Sequence, residues 1–128
     1  MMIRAICKYS VVVMLLLFGL ALPVHAEDPV FSAGAARVDA TPEHLPAVVN
    51  GSMLERLVEE VNDPLHVRAV VMDDGTTKIA MVLVDSCMMP RDLLDKAKKM
   101  AEAQTGIPAE NILVSATHCH SAPSVIAV

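Results

Sequence analysis

The sequence predicts an α/β fold: one mixed sheet in which a β-hairpin is followed by a right-handed β-α-β unit. Two apolar, β-branched runs at 65–72 and 78–84 flank Asp73-Asp74-Gly75-Thr76-Thr77, and the Asp-Gly step supplies the positive φ that a tight turn needs. A third apolar run at 112–116 follows a helical pattern long enough to cross between parallel strands.

Residues 1–26 read as a secretory signal and not as part of this fold. Arg4 and Lys8 make a basic start, 11–22 is an unbroken apolar run, and Pro23-Val24-His25-Ala26 follows with small residues where a signal peptidase reads. The run falls short of the roughly 20 residues a bilayer-spanning helix requires. The expectation is export to the periplasm or the extracellular space, with 27–128 as the amino-terminal part of a larger catalytic domain. The chain has 15 Asp+Glu against 10 Lys+Arg, a formal net charge of −5. Loss of the signal's two cations makes it more acidic still. Nucleic acid is thereby excluded as a partner, because neutralising phosphates takes clustered Lys and Arg. Cys7 lies in the signal, leaving Cys87 and Cys119, too few for a disulfide-stapled scaffold. A disulfide between them after export stays open, and separate thiols are the favoured expectation, with Cys119 buried and behaving as a small apolar residue.

Within 27–128, 33–38 is a small-residue strand ending at Asp39-Ala40-Thr41-Pro42, after which Pro42 and Pro46 impose extended backbone. A helix is predicted over 52–61, where Ser52 and Glu55 have capping-box spacing and Leu54, Leu57, Val58 and Val61 form a stripe. In the second hairpin strand, 79–84 is apolar on both faces, which predicts a central strand covered on both sides and ending at Asp85. Pro90 suits a first helical turn, and Leu93, Leu94, Ala97, Met100 and Ala101 recur on one helical face. Asp92 with Lys96 and Asp95 with Lys99 are spaced to pair on the other face, and Gly106 and Pro108 stop the helix.

The chemistry concentrates in Ala116-Thr117-His118-Cys119-His120-Ser121-Ala122-Pro123. If the strand continues, His118 and His120 share a face with α-carbons roughly 7 Å apart, so two imidazoles converge on one ion. Zinc with an open coordination position activates water toward amide and ester carbonyls. Sites in open α/β sheets lie beyond the carboxyl ends of parallel strands, where Asp85 also falls. Metal ligation is therefore expected of His118 and His120, and catalytic roles of His120 and Asp85. Asp85 has three readings: a ligand, a holder of an imidazole tautomer, or an acceptor of backbone N–H groups. His66 reads as a half-buried strand residue, Arg68 as the partner of a surface acid, and His44 has no clear partner. Met81 and Met100 read as core. Cys87, Met88 and Met89 remain as soft groups able to face the histidines, which keeps open an exported copper- or zinc-binding module without hydrolase activity.

The segment from Ser115 through Pro123, with the strand ending in Asp85 and Asp63-Pro64-Leu65-His66-Val67-Arg68-Ala69 ahead of it, resembles the amino-terminal catalytic region of the neutral/alkaline non-lysosomal ceramidase family. The resemblance runs from about Ala33 to the last residue. It implies a zinc-dependent amidase that cleaves an N-acyl sphingolipid such as ceramide, reached by contact with a membrane surface. It implies His118 as a zinc ligand and His120 beside the metal, touching substrate or the reacting centre. The family draws a second histidine, a glutamate, a tyrosine and a catalytic serine from sequence further downstream, so an incomplete site is implied for 27–128 alone. Cys119 stands where the family has threonine, Ala122 where it has glycine, and Asn50-Gly51-Ser52-Met53 matches a Gly-Tyr-containing stretch only loosely. The metallo-β-lactamase pattern fits less well, since Ala122 and Pro123 occupy its Asp and His positions. Amidohydrolase barrels carry their H-x-H near the start of the domain, whereas here a hairpin and a β-α-β unit come first.

Overall fold

The computed structural model describes residues 30–126, so the signal reading at 1–26 lies outside the described residues. In chain order the elements are strands β1 (Ser32–Asp39), β2 (Ala47–Val49), β3 (Arg56–Val58), β4 (His66–Asp73) and β5 (Lys78–Val84), helix α1 (Arg91–Thr105), a 3-10 turn (Ala109–Asn111) and strand β6 (Ile112–Ala116). The main sheet has the order β1-β4-β5-β6, and β2-β3 form a small second sheet. The first two pairings of the main sheet are antiparallel and β5-β6 is parallel, giving the mixed α/β sheet the sequence predicts.

Local chemistry accounts for the hairpin. Gly75 has φ 85°, Asp73 accepts the Gly75 N–H at 2.9 Å, and Asp74 accepts those of Thr76 and Thr77 at 2.9 and 2.7 Å. Each Asp side chain thus replaces a backbone acceptor inside the turn. An Asp73–Lys78 ion pair at 3.1 Å closes it. Helix α1 follows Pro90 and ends at Gly106, whose φ of 72° lets its N–H reach the Glu102 carbonyl at 2.9 Å. The i,i+4 ion pair on α1 is Arg91–Asp95 at 2.8 Å and not the expected Asp92–Lys96 and Asp95–Lys99; Arg91 engages the Asp95 carboxylate in place of Lys99.

Register explains which sheet face the helix covers. Val71, Ala80 and Ile112 form one cross-strand row and Ala69, Val82 and Val114 another on the same face. Ala80, Ile107 and Ile112 are buried there, with Ala101 of α1 packed on them. On the opposite face Val70, Met81 and Leu113 make a row beside Ile79 and Leu83, and all five are exposed. The expectation that 79–84 is covered on both sides is therefore corrected: a single helix has one apolar stripe and covers one face. Met81 and Met100 are likewise exposed and not core residues. No described helix is long and apolar enough to cross a membrane.

The predicted helix at 52–61 does not form. Gly51 turns the chain at φ 88°, and Arg56–Val58 pairs antiparallel with Ala47–Val49. Ser52 Oγ accepts the N–H of Leu54, an i+2 bond that closes a local turn and does not cap a helix. Leu54, Leu57 and Val61, the intended stripe, are exposed.

Candidate metal centre

Beyond the carboxyl ends of β5 and β6 the two chains remain hydrogen-bonded side by side. Thr117 N–H donates to the Val84 carbonyl at 2.9 Å and Cys119 N–H to the Ser86 carbonyl at 3.1 Å. Ser86 is buried, and its hydroxyl donates to the Met88 carbonyl at 3.1 Å, folding the loop tightly. This brings Cys87, 2% exposed, under His118. One ring nitrogen donates to or accepts from Cys87 depending on tautomer: Nδ1 of His118 lies 2.9 Å from the Cys87 carbonyl and 3.9 Å from Cys87 Sγ. With the proton on Nδ1, the ring donates to the carbonyl and keeps the Nε2 lone pair for a ligand.

The histidines converge by a different route from the one expected. β6 ends at Ala116, and His118 has φ 62°, in the left-handed region that a residue with a β-carbon rarely adopts. A turn, not strand alternation, brings the rings together, edge to face with centroids 4.8 Å apart. One donor atom each from Cys87, His118 and His120 lies within 4.8 Å of the others, with the cysteine buried and both histidines exposed.

His120 is seated by the small β2-β3 sheet. Val49 bridges Pro123, Asn50 N–H donates to the Ala122 carbonyl at 3.3 Å, and Ser124 N–H donates to the Val48 carbonyl at 2.7 Å. Arg56 Nη2 donates to the His120 carbonyl at 2.9 Å. A Cβ at Gly51 would run into the Cβ, Cγ and Nδ1 of His120, so only glycine leaves room for this ring. Gly51 and Arg56 were not singled out from sequence as site residues. The signal was the Asn50-Gly51 dipeptide, a turn marker that argues against a helix starting at Ser52. Beside it, Asn50 Nδ2 is a buried donor without a partner among the described residues, the kind of group an absent acceptor would satisfy.

Asp85 stands outside the three-residue group. Its Oδ1 pairs with Arg68 Nη1 at 2.9 Å and its Oδ2 accepts the His66 N–H at 2.9 Å. The Arg68 guanidinium above all, with the His66 N–H, holds the carboxyl below its ordinary range. Of the readings open for Asp85, acceptance of a backbone N–H is the contact seen. His66 is half-buried in β4 and its Nδ1 lies 3.4 Å from Arg68, while His44 is exposed. Cys119 is half-buried with Sγ 3.2 Å from Ser121 Oγ, a contact that lowers its thiol pKa, so it is not the buried apolar thiol expected. Cys87 and Cys119 are free thiols. Asp85, Cys119 and Ser121 line a pocket of about 380 Å³ together with Thr41, Glu60 and Asp63.

The molecule is thus an α/β sheet with a cysteine-histidine group at the carboxyl ends of its parallel strands. No family model and no curated protein matches the chain. Among solved structures, neutral ceramidase from Pseudomonas aeruginosa superposes with a TM-score of 0.67 at 24% identity, over 77% of this chain and 16% of that one. A structure described as ceramidase complexed with C2 superposes with a TM-score of 0.61 at 24% identity, over 73% of this chain and 15% of that one. The fold is therefore ceramidase-like, and the chain spans a small part of the length of each.

Proposed function

We propose that this chain supplies the amino-terminal part of the active site of an exported, zinc-dependent amide hydrolase acting on an N-acyl lipid, ceramide or a related compound. The observation that carries this reading is the meeting of His118 and His120 beyond the parallel strands of a ceramidase-like fold. The donor set fits zinc, since both imidazoles are exposed and His118 has its Nδ1 engaged by a backbone carbonyl. Zinc bound there supplies a Lewis acid that polarises a carbonyl and activates water.

In this reading the chain's own residues bind and orient. His118 is a ligand whose ring is fixed by the Cys87 carbonyl. His120, seated on Gly51, is a ligand or exchanges a proton with the reacting centre at a ring nitrogen. Asp85 acts by position: its bonds to Arg68 and the His66 N–H fasten the start of β4 to the loop after β5, and its carboxylate edges the pocket. Leu45, Val58, Val61 and Leu65 give that pocket apolar wall for part of a lipid-like substrate. Met53, fully exposed, and Leu54 stand on the turn that seats His120, an apolar tip suited to contact with a membrane surface. This chain alone is expected to be inactive.

The test is release of fatty acid from an N-acyl sphingosine by zinc-loaded full-length protein, with and without chelator. Chelation and His118→Ala should each reduce release to background, and full activity after His118→Ala overturns the reading. The buried Cys87 in the group favours one second reading, an exported copper- or zinc-binding module without hydrolase activity. Stoichiometric metal with no amide hydrolysis by the full-length protein would support it.

A further inference from the structure

We propose that the Cys87 thiolate is a third inner-sphere ligand, joining His118 and His120 on one thiophilic divalent ion, so that this chain by itself carries a cysteine-histidine-histidine zinc site. The proposal rests on the reading of the two histidines as ligands and adds what neither histidine supplies. Within this chain two imidazoles alone do not meet the three or four protein donors zinc takes, and three donors with one position open is the pattern of a catalytic site. Here the third donor comes from the neighbouring strand's loop.

Geometry and charge both favour the sulfur. One donor atom each from Cys87, His118 and His120 lies within 4.8 Å of the others, and Cys87 Sγ lies 3.9 Å from the near edge of the His118 ring, at the Nδ1 that the Cys87 carbonyl engages. Sulfur and nitrogen donors on one tetrahedral zinc, at bond lengths of about 2.3 and 2.1 Å, sit roughly 3.5 Å apart. Closing the three donors onto one ion therefore takes shifts on the order of 1 Å. The sulfur is held by its loop, since Ser86 is buried, bonded through its hydroxyl to Met88 and through its carbonyl to Cys119 N–H. A thiolate brings a negative charge to the ion, and Asp85, the nearby carboxylate at the strand ends, is committed to Arg68 and His66. The buried cysteine lies beneath while both histidines are exposed, which leaves the solvent side of the ion for a non-protein ligand. A buried cysteine more often serves as a small apolar residue, but this one faces an imidazole edge.

The side chain and the backbone of Cys87 can be tested apart, because Cys87→Ser removes the sulfur and keeps the carbonyl that holds His118. The full chain is prepared reduced and metal-free, then titrated with zinc and with cobalt as a spectroscopic probe. Zinc-edge X-ray absorption should show one sulfur at about 2.3 Å, and cobalt should give a thiolate charge-transfer band with intense tetrahedral visible bands. Cys87→Ser should abolish the band and weaken zinc binding roughly 100-fold or more, beyond the usual loss of an outer-sphere partner. Cys119→Ser should keep both. One-to-one zinc with only nitrogen and oxygen neighbours overturns the thiolate and leaves the histidine ligands standing. A charge-transfer band that survives Cys87→Ser also overturns it, while failure of the chain to bind zinc stoichiometrically overturns the thiolate and the histidine ligands together. The absorption measurement uses the unmodified chain, so it decides the matter even if Cys87→Ser misfolds.

Discussion

At the scale of single residues, the left-handed backbone of His118 lies where the chemistry gathers. His118 takes φ 62° in the turn that carries both histidines, and Gly51 at φ 88° leaves the space that the His120 ring occupies. Gly51→Ala puts a β-carbon into the left-handed region, at a cost of about 1–2 kcal/mol for the backbone alone, and drives His120 from its seat. Thermal melting should show the lost stability, and zinc titration should show affinity reduced at least tenfold. A variant that melts lower yet binds zinc unchanged would mean that His120 does not ligate. The Asp85–Arg68 pair yields a second expectation. Asp85 has a depressed folded pKa, so its contribution to stability is present above the ordinary carboxylate value and is lost as pH falls below about 4 toward the folded value. Arg68→Met lets that pKa rise, and the acid-unfolding midpoint should move to higher pH. Hydrogen bonds also lower Asp39, Asp73 and Asp74, which keep their partners in this variant, so the displacement reports Asp85.

At the scale of elements, what could be read from sequence follows how local its cause is. The hairpin is specified by five consecutive residues, and the β-α-β unit by an apolar strand, a helical stripe and a glycine stop. All of these appear within a residue or two of their expected limits. The β2-β3 pair depends on contacts with 122–124, remote in sequence, so the capping spacing at Ser52 and Glu55 gave a helix that tertiary pairing overrides. The histidine segment falls between these cases. Its place beyond the parallel strands was legible from the order of elements, but its turn was not, because nothing local marks His118 for a positive φ. Cys87 was visible only as one of three soft residues in the right loop. Two measurements test the elements. Gly106→Ala should cost about 1 kcal/mol by forcing a β-carbon into the αL position that ends α1, read from denaturant unfolding. Arg56→Ala removes a bond reaching 64 positions along the chain to the His120 carbonyl. It should weaken zinc binding by about 10- to 100-fold, and an unchanged affinity would show that β3 does not position the histidine.

At the scale of the whole molecule, the two faces of the main sheet have different fates. One carries α1 and the core around Ala80, Ile107 and Ile112, while the other presents Val70, Ile79, Met81, Leu83 and Leu113 to solvent, with Leu113 at 60% exposure. β1 and β6 are also the outer strands of the described sheet, with backbone groups free to pair along one side. Contiguous apolar surface and open strand edges both favour self-association, but they respond differently to substitution. Met81 and Leu113 are register partners at the centre of the exposed face. Replacing both with threonine removes apolar area there, introduces β-branched side chains that suit a strand and leaves the strand backbones as they are. The parent chain should therefore associate with rising concentration in light scattering, and the Met81→Thr/Leu113→Thr variant should remain monomeric over the same range. Its unfolding free energy should stay within about 0.5 kcal/mol per site, because neither side chain is buried. Zinc affinity should not change, since both residues lie on the strands and the ligands beyond their ends. Association that persists undiminished in this variant would move the cause from the apolar face to the strand edges.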